Sequence, residues 1–284
     1  MRATCSMGPG ASATRVSGTA SRYASAKPIW QVMQNNRPVL TAIILGAGRG
    51  SRLMPLTNDA PKCYAVVAGR RIIEWTLAAL RAAGIERIVF VGGYRIDQIS
   101  SDYPELEYRV NPDWRTTGTL MSLLNAREFM HGPVLLTMSD LLYTGAAIAR
   151  LAGTHHDIVL AVKKPPQPGG TVCEPRWAPD TAVVAAAGEC VLAADRGLVG
   201  DNIVGQYAGI AAFSSRGTAW LCNAYQRAGS GALQLGVPIR TARSMHLINA
   251  MVAEGTAVHW SYVAGPHAEV DSLEDLELAR MLWK

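Results

Sequence analysis

The first 40 residues contain no acid at all, although they carry Arg2, Arg15, Arg22, Lys27 and Arg37. The formal charge of +5 is therefore a property of the leading segment, and residues 41–284 hold 22 basic and 22 acidic side chains. That balance excludes a general nucleic-acid surface. Long apolar runs are also missing. No stretch approaches the roughly 18 uninterrupted apolar residues of a membrane helix, so the chain is expected to be soluble and cytoplasmic, with no membrane partner. Cysteine excludes two further classes. Cys5, Cys63, Cys173, Cys190 and Cys222 are odd in number and form no C-x-x-C pair. Neither a disulfide framework nor a structural zinc site fits them.

Residues 1–38 are rich in Ala, Ser, Thr, Gly and Arg and lack apolar periodicity. Disorder is the plain reading, and an acid-free, Arg- and Ser-rich start also fits a transit peptide. A start placed too far upstream is a third reading, because Met33 lies just before the first strand. The expected organisation is an N-terminal extension at 1–38 and a catalytic domain at 39–284.

From residue 41 apolar strands alternate with amphipathic helices. Strands are predicted at 42–45, 87–93, 106–110 and 133–138, with helices at 70–84 and 119–130. That alternation means an α/β fold with a mostly parallel sheet. Beyond about 157 the strands at 158–164, 182–186, 191–194 and 207–213 are short and separated by Pro/Gly stretches. They read as a smaller mixed or antiparallel region on the same sheet. A strand at 257–263 then leads to a helix that starts at Ser272, with Asp275 placed as in a capping box.

The chemistry concentrates in "LGAGRGSRLMPLTNDAPK", residues 45–62. A P-loop needs Gly-Lys followed by Ser or Thr, but Lys62 follows proline and precedes cysteine. A dinucleotide loop needs a third glycine opening directly into a helix. Here that position is Ser51, and Pro55 and Pro61 interrupt any helix. The remaining use is a backbone nest for a nucleoside triphosphate, with Arg52 and Lys62 reaching back over the loop.

Glycine loop, Arg52 and Pro61-Lys62 in one frame resemble the nucleotidyltransferases that couple a nucleoside triphosphate to a phosphorylated acceptor and release pyrophosphate. Within that superfamily four segments are most similar to the bacterial phosphocholine and phosphonate cytidylyltransferase branch. They are "VGGYRIDQI" (91–99), "NPDWRTTGTLMSL" (111–123), "GQYAGIAAFS" (205–214) and "EVDSLEDLELAR" (269–280). The resemblance implies a Rossmann-like three-layer α/β/α domain of the GT-A type, with the smaller mixed region binding the acceptor.

It also implies roles. Arg52 and Lys62 act on the triphosphate. Leu45, Gly46, Ala47, Gly48, Gly50, Ser51, Gly93, Tyr94, Gly118, Thr119 and Ser122 surround the nucleotide. Asp140, at the carboxyl end of a strand, and Asp271 hold Mg2+. Tyr207, Gly209 and Glu269 face the acceptor. The implied substrates are CTP and a small phosphate or phosphonate such as phosphocholine, 2-aminoethylphosphonate or 2-hydroxyethylphosphonate, in an enzyme that can form a homo-oligomer. Two positions depart from the branch. Met138 stands where an acid is common, and Thr117-Gly118 stand where paired asparagines are common. A competing reading for Asp271 is a helix cap. Trp260 and Tyr262, two apart on a strand, read as core rather than as a cage for a cationic acceptor, and the loop 163–177 reads as a lid or a surface excursion. Two other functions stay open: a sugar-1-phosphate nucleotidyltransferase using UTP, dTTP or GTP, and a catalytically silent nucleotide-binding partner.

Overall fold

The structure is a computed structural model, and it describes residues 39–165, 182–229, 231–233 and 236–283. The segment 1–38, most of the expected lid and Trp177 lie outside the described residues.

Every strand predicted from an apolar run is present. Strand β1 (Thr41–Gly46) is followed by a separate small hairpin of β2 (Val66–Val67) and β3 (Arg70–Arg71). With β1, strands β4 (Arg87–Gly92), β5 (Glu107–Val110) and β6 (Val134–Met138) form one parallel block in the order β5-β4-β1-β6. The sheet continues through β11 (Ile203–Phe213), which is antiparallel to both β6 and β8 (Ile158–Lys163). β12 (His259–Tyr262) lies parallel to β8, and β10 (Cys190–Asp195) and β9 (Val183–Ala187) close the far edge. Among the described residues this makes a nine-stranded sheet that is parallel in its first half and mixed in its second. The mixed region is thus a continuation of the same sheet.

Period-2 alternation sends the side chains of each strand to two faces. Ile43 and Leu45 of β1, with Ile158, Leu160 and Val162 of β8, enter one core under α3 (Thr119–Asn125), α5 (Ser215–Ala228) and α6 (Ser244–Ala253). Ala42 and Ile44 of β1, with Val159 and Ala161 of β8, enter the other, under α1 (Ile72–Ala82), α2 (Ile96–Asp102) and α4 (Gly145–Ala152). The result is the expected three-layer α/β/α arrangement.

α1 ends at Gly84, which adopts φ +79°. The helix predicted at 119–130 is shorter than expected. Asn125 turns its amide onto Met121 O at 2.9 Å, and the bonds that follow, Ala126 N to Leu123 O and Phe129 N to Ala126 O, tighten to i→i−3 spacing. A third, smaller core involves β7 (Leu141–Tyr143), β13 (His267–Glu269) and α7 (Leu273–Leu282). It gathers Leu53, Val67, Ile72, Leu142, Val270 and Leu276, and so joins the glycine loop to the C-terminal helix. No helix among the described residues is long and apolar enough to cross a membrane.

Candidate active site

The glycine loop leaves β1 at the carboxyl end of the parallel block, where open α/β sheets bind ligands. Gly46 is required by packing, because a Cβ there would lie 2.4 Å from Phe90 Cζ and 2.8 Å from Ser139 Cβ. Gly50 is required twice over. Its φ is +71°, and a Cβ would meet the aliphatic stem of Lys62 at 2.9 Å. The stem of Lys62 therefore crosses the loop at the residue that has no side chain. Gly48 has nothing within 4 Å of its Cβ position and leaves the loop open towards a ligand. Buried Leu53 anchors the loop from below, and Thr57 Oγ1 donates to Gly50 O at 2.9 Å. Ser51 is exposed beside Arg52.

Tyr94 ties this loop to the end of β4. Its N–H donates to Ala47 O at 2.9 Å and its hydroxyl to Thr57 O at 3.0 Å. At Gly93 a Cβ would come within 2.6 Å of the Trp114 ring and 2.8 Å of Ala47 O. Gly93 is thus forced by the close approach of three segments.

Asp140 and Asp271, 131 positions apart in sequence, meet through one strand pairing. β13 pairs with β7, setting Glu269 opposite Leu141, and Val270 N donates to Asp140 O at 3.0 Å. The Lys62 ammonium sits between them, bonded to Asp140 Oδ2 and Asp271 Oδ1. Arg52 Nη2 reaches Asp271 Oδ2 at 2.9 Å from the solvent side. Lys62 and Asp140 are 11% and 14% exposed and Arg52 52%, so Lys62 is the interior cation and Arg52 the rim cation.

Burial opposes the charge of Lys62, but the Asp140 and Asp271 carboxylates outweigh it and raise its pKa. Burial likewise works against the Asp271 carboxylate, which Lys62 and Arg52 nevertheless hold below the ordinary value. Glu269, half-buried beside Asp140 and Asp271, is pushed up to about 8, first by burial and then by those two charges.

Asp271 is not the cap of α7. Ser272 accepts from Asp275 N at 3.2 Å and Asp275 Oδ2 accepts from Ser272 N at 2.8 Å, which leaves the Asp271 carboxylate for Lys62 and Arg52. Glu269 joins the two aspartates. One carboxylate oxygen from each of Asp140, Glu269 and Asp271 lies within 4.8 Å of the others, and Asp140 Oδ1 is buried without a partner. Three carboxylates, one of which carries an orphaned oxygen, fit a hard divalent cation. Sequence reasoning assigned Glu269 to the acceptor; the β13–β7 pairing brings it into the carboxylate group.

Other expected residues have packing and hydrogen-bond partners of their own. Gly118 packs under the 239–242 turn, where a Cβ would be 2.1 Å from Ala242 O. An asparagine cannot fit there, which accounts for one departure from the family pattern. Thr119 Oγ1 accepts from Ser244 N at 3.0 Å. Buried Asn111, which sequence reasoning passed over, donates to Thr117 Oγ1 and Ser122 Oγ, each at 3.0 Å. The segment 111–123 is one of those that carry the family resemblance, but nothing in its pattern marks this asparagine as the hub. Gly209 adopts φ +75° at a bulge in β11 and backs onto Leu141. Tyr207 packs against the core under α3, α5 and α6, and burial, then the Glu269 charge, raise its pKa. Trp260 and Tyr262 meet edge to face at 4.9 Å, and their polar tips donate to Gly188 O and Val204 O. Those contacts are structural.

Three comparisons bear on this arrangement. The chain is 31% identical over 134 residues to the CTP:phosphoglutamine cytidylyltransferase of Campylobacter jejuni, covering 44% of this chain and 53% of that protein. It is 36% identical over 138 residues to the CMP-5'-(3-aminopropyl)phosphonate synthase of Streptomyces rubellomurinus, covering 46% of this chain and 22% of that protein. The match therefore spans about half of the first relative and less of the second. The solved inositol-1-phosphate CTP transferase of T. maritima superposes with a TM-score of 0.67 at 20% identity, over 86% of this chain and 96% of that one, a likeness of fold. Residues 42–208 match the model of the MobA-like NTP transferase domain, and the chain belongs to that family.

Proposed function

We propose that this chain is a cytoplasmic cytidylyltransferase, with its catalytic unit at 39–284, that transfers CMP from CTP to a small phosphate or phosphonate and releases pyrophosphate. The observation that carries the reading is the Lys62 ammonium held between Asp140 and Asp271, beside a glycine loop with open space at Gly48. The two cytidylyltransferase relatives, one named for a phosphorylated and one for a phosphonate acceptor, support the choice of base and acceptor class.

In this mechanism the acceptor's phosphate or phosphonate oxygen attacks the α-phosphorus of CTP in line. One oxygen–phosphorus bond forms, the bond to the bridging oxygen of pyrophosphate breaks, and its electron pair leaves with the pyrophosphate. No protein nucleophile is required. The backbone of residues 46–50 cradles the triphosphate. Lys62 shifts from its carboxylates towards the α-phosphate, and Arg52, on the rim, neutralises the leaving pyrophosphate. Asp140, Asp271 and neighbouring Glu269 would hold Mg2+, which supplies positive charge at the reacting phosphates.

The test is pyrophosphate release with Mg2+, crossing CTP, UTP, dTTP and GTP against phosphocholine, 2-aminoethylphosphonate, 2-hydroxyethylphosphonate and glucose 1-phosphate. Turnover confined to CTP and a phosphocholine-like or phosphonate acceptor is expected. Turnover of glucose 1-phosphate with another nucleotide contradicts the proposal.

A further inference from the structure

We propose that Lys163 is the acceptor-side anion receptor, binding the phosphate or phosphonate group that attacks CTP. The inference rests on the cytidylyltransferase reading for its substrate and on the sheet for its geometry.

Because β11 is antiparallel to both β6 and β8, β8 runs in the same direction as β6. Lys163 ends β8 and so stands on the same rim as Asp140, which follows β6. The rim is ordered. The sheet sequence β4-β1-β6-β11-β8 sets Gly93 and the glycine loop on one side of Asp140 and Lys163 on the other, two strand spacings or about 10 Å away. Nucleotide contacts and Lys163 thus flank the carboxylate group.

The face is fixed as well. Val159 and Ala161 point into the core under α1, α2 and α4, so strand alternation directs Lys163 to that face. Lys164 turns the other way, with its ammonium 5.3 Å from the Tyr262 ring centroid. On the Lys163 face lie β7 and β13, and His267 Nε2 donates to Ala208 O at 2.8 Å, pinning β13 onto β11. Lys163 accordingly feels the charge of Glu269, and His267 feels the charge of Lys163. Yet Lys163 is half-buried and, among the described residues, its ammonium makes no ion pair or hydrogen bond.

A half-buried ammonium without a bonded partner is costly unless a ligand supplies one. A phosphate or phosphonate approaching three carboxylates and a triphosphate needs such a cation. Lys62 and Arg52, which bond Asp140 and Asp271 on the nucleotide side, are assigned in the proposed reaction to the α-phosphate and the leaving pyrophosphate.

The experiment measures binding of methylphosphonate, and separately of a non-hydrolysable CTP analogue, to the full chain with Mg2+. Wild type is compared with Lys163→Met and Lys163→Arg. Methylphosphonate affinity is expected to fall about tenfold or more in Lys163→Met, as for loss of one charge-assisted hydrogen bond. Lys163→Arg should retain most of it, and CTP-analogue affinity should be unchanged in both. Equal methylphosphonate binding by Lys163→Met and wild type overturns the inference. So does an equal loss of CTP-analogue binding, or a wild type that does not bind methylphosphonate. A wild type that binds methylphosphonate through Lys163 but releases no pyrophosphate with any acceptor would uphold the anion site and defeat the cytidylyltransferase reading.

Discussion

Replacing Gly118 with alanine tests how the start of α3 is held against the 239–244 segment. The backbone there is ordinary, with φ −87° and ψ 177°, so a side chain costs nothing in conformation. The whole penalty is steric. The new Cβ would lie 2.1 Å from Ala242 O and 2.5 Å from Thr241 O, both backbone atoms that cannot rotate away. Relief requires separating the start of α3 from the 239–244 segment. That strains the bonds from Gly118 N to Arg240 O (2.9 Å) and from Leu120 N to Ala242 O (3.1 Å). Overpacking costs about 1–3 kcal/mol, and each weakened hydrogen bond about 1 kcal/mol. Gly118→Ala should therefore lose about 3 kcal/mol, a melting temperature lower by about 6–12 °C. Urea and thermal unfolding measure this, with Gly48→Ala as control. Gly48 has open space around its Cβ position, so that variant should keep wild-type stability. A Gly118→Ala protein as stable as Gly48→Ala would refute the packing argument.

Two further predictions separate chemistry from scaffold. Asp271→Asn should abolish pyrophosphate release while leaving α7 intact by circular dichroism, because Ser272 and Asp275 form the cap. Ser272→Ala should do the reverse, losing about 1 kcal/mol of stability and keeping turnover. His267 supplies a pH dependence. Burial, followed by the Lys163 charge, pushes its imidazole from 6.5 down to about 4. The unfolded chain thus binds the proton first as pH falls, so stability is intact above about 6.5 and is lost on acidification towards 4, by on the order of 3 kcal/mol. His267→Gln should remove that part of the slope in urea midpoints taken between pH 7 and 4.5. An identical slope in both proteins would contradict the assignment.

Much of this was legible in the residues because it is local. Apolar runs such as 42–45 and 133–138 mark strands wherever they sit in a sheet, and the Ser272–Asp275 spacing marks a helix start by itself. Glycine loop, Arg52 and Lys62 lie within one short segment. What was not legible depends on pairing between distant segments. Nothing in "HAEVD" announces that it lies antiparallel to "LLY", yet that register carries Glu269 to Asp140. Asn111 looks like any loop asparagine until α3 brings Ser122 against it. Gly118 resembles a helix-start glycine, and its real constraint is a carbonyl at 242.

The most direct test of the central claim identifies the product by phosphorus NMR, after incubating the protein with Mg2+, CTP and 2-aminoethylphosphonate. The account predicts coupled resonances of a new phosphonate–phosphate anhydride together with pyrophosphate. Pyrophosphate accompanied by free CMP, with the phosphonate signal unchanged, would mean hydrolysis rather than transfer and would contradict it.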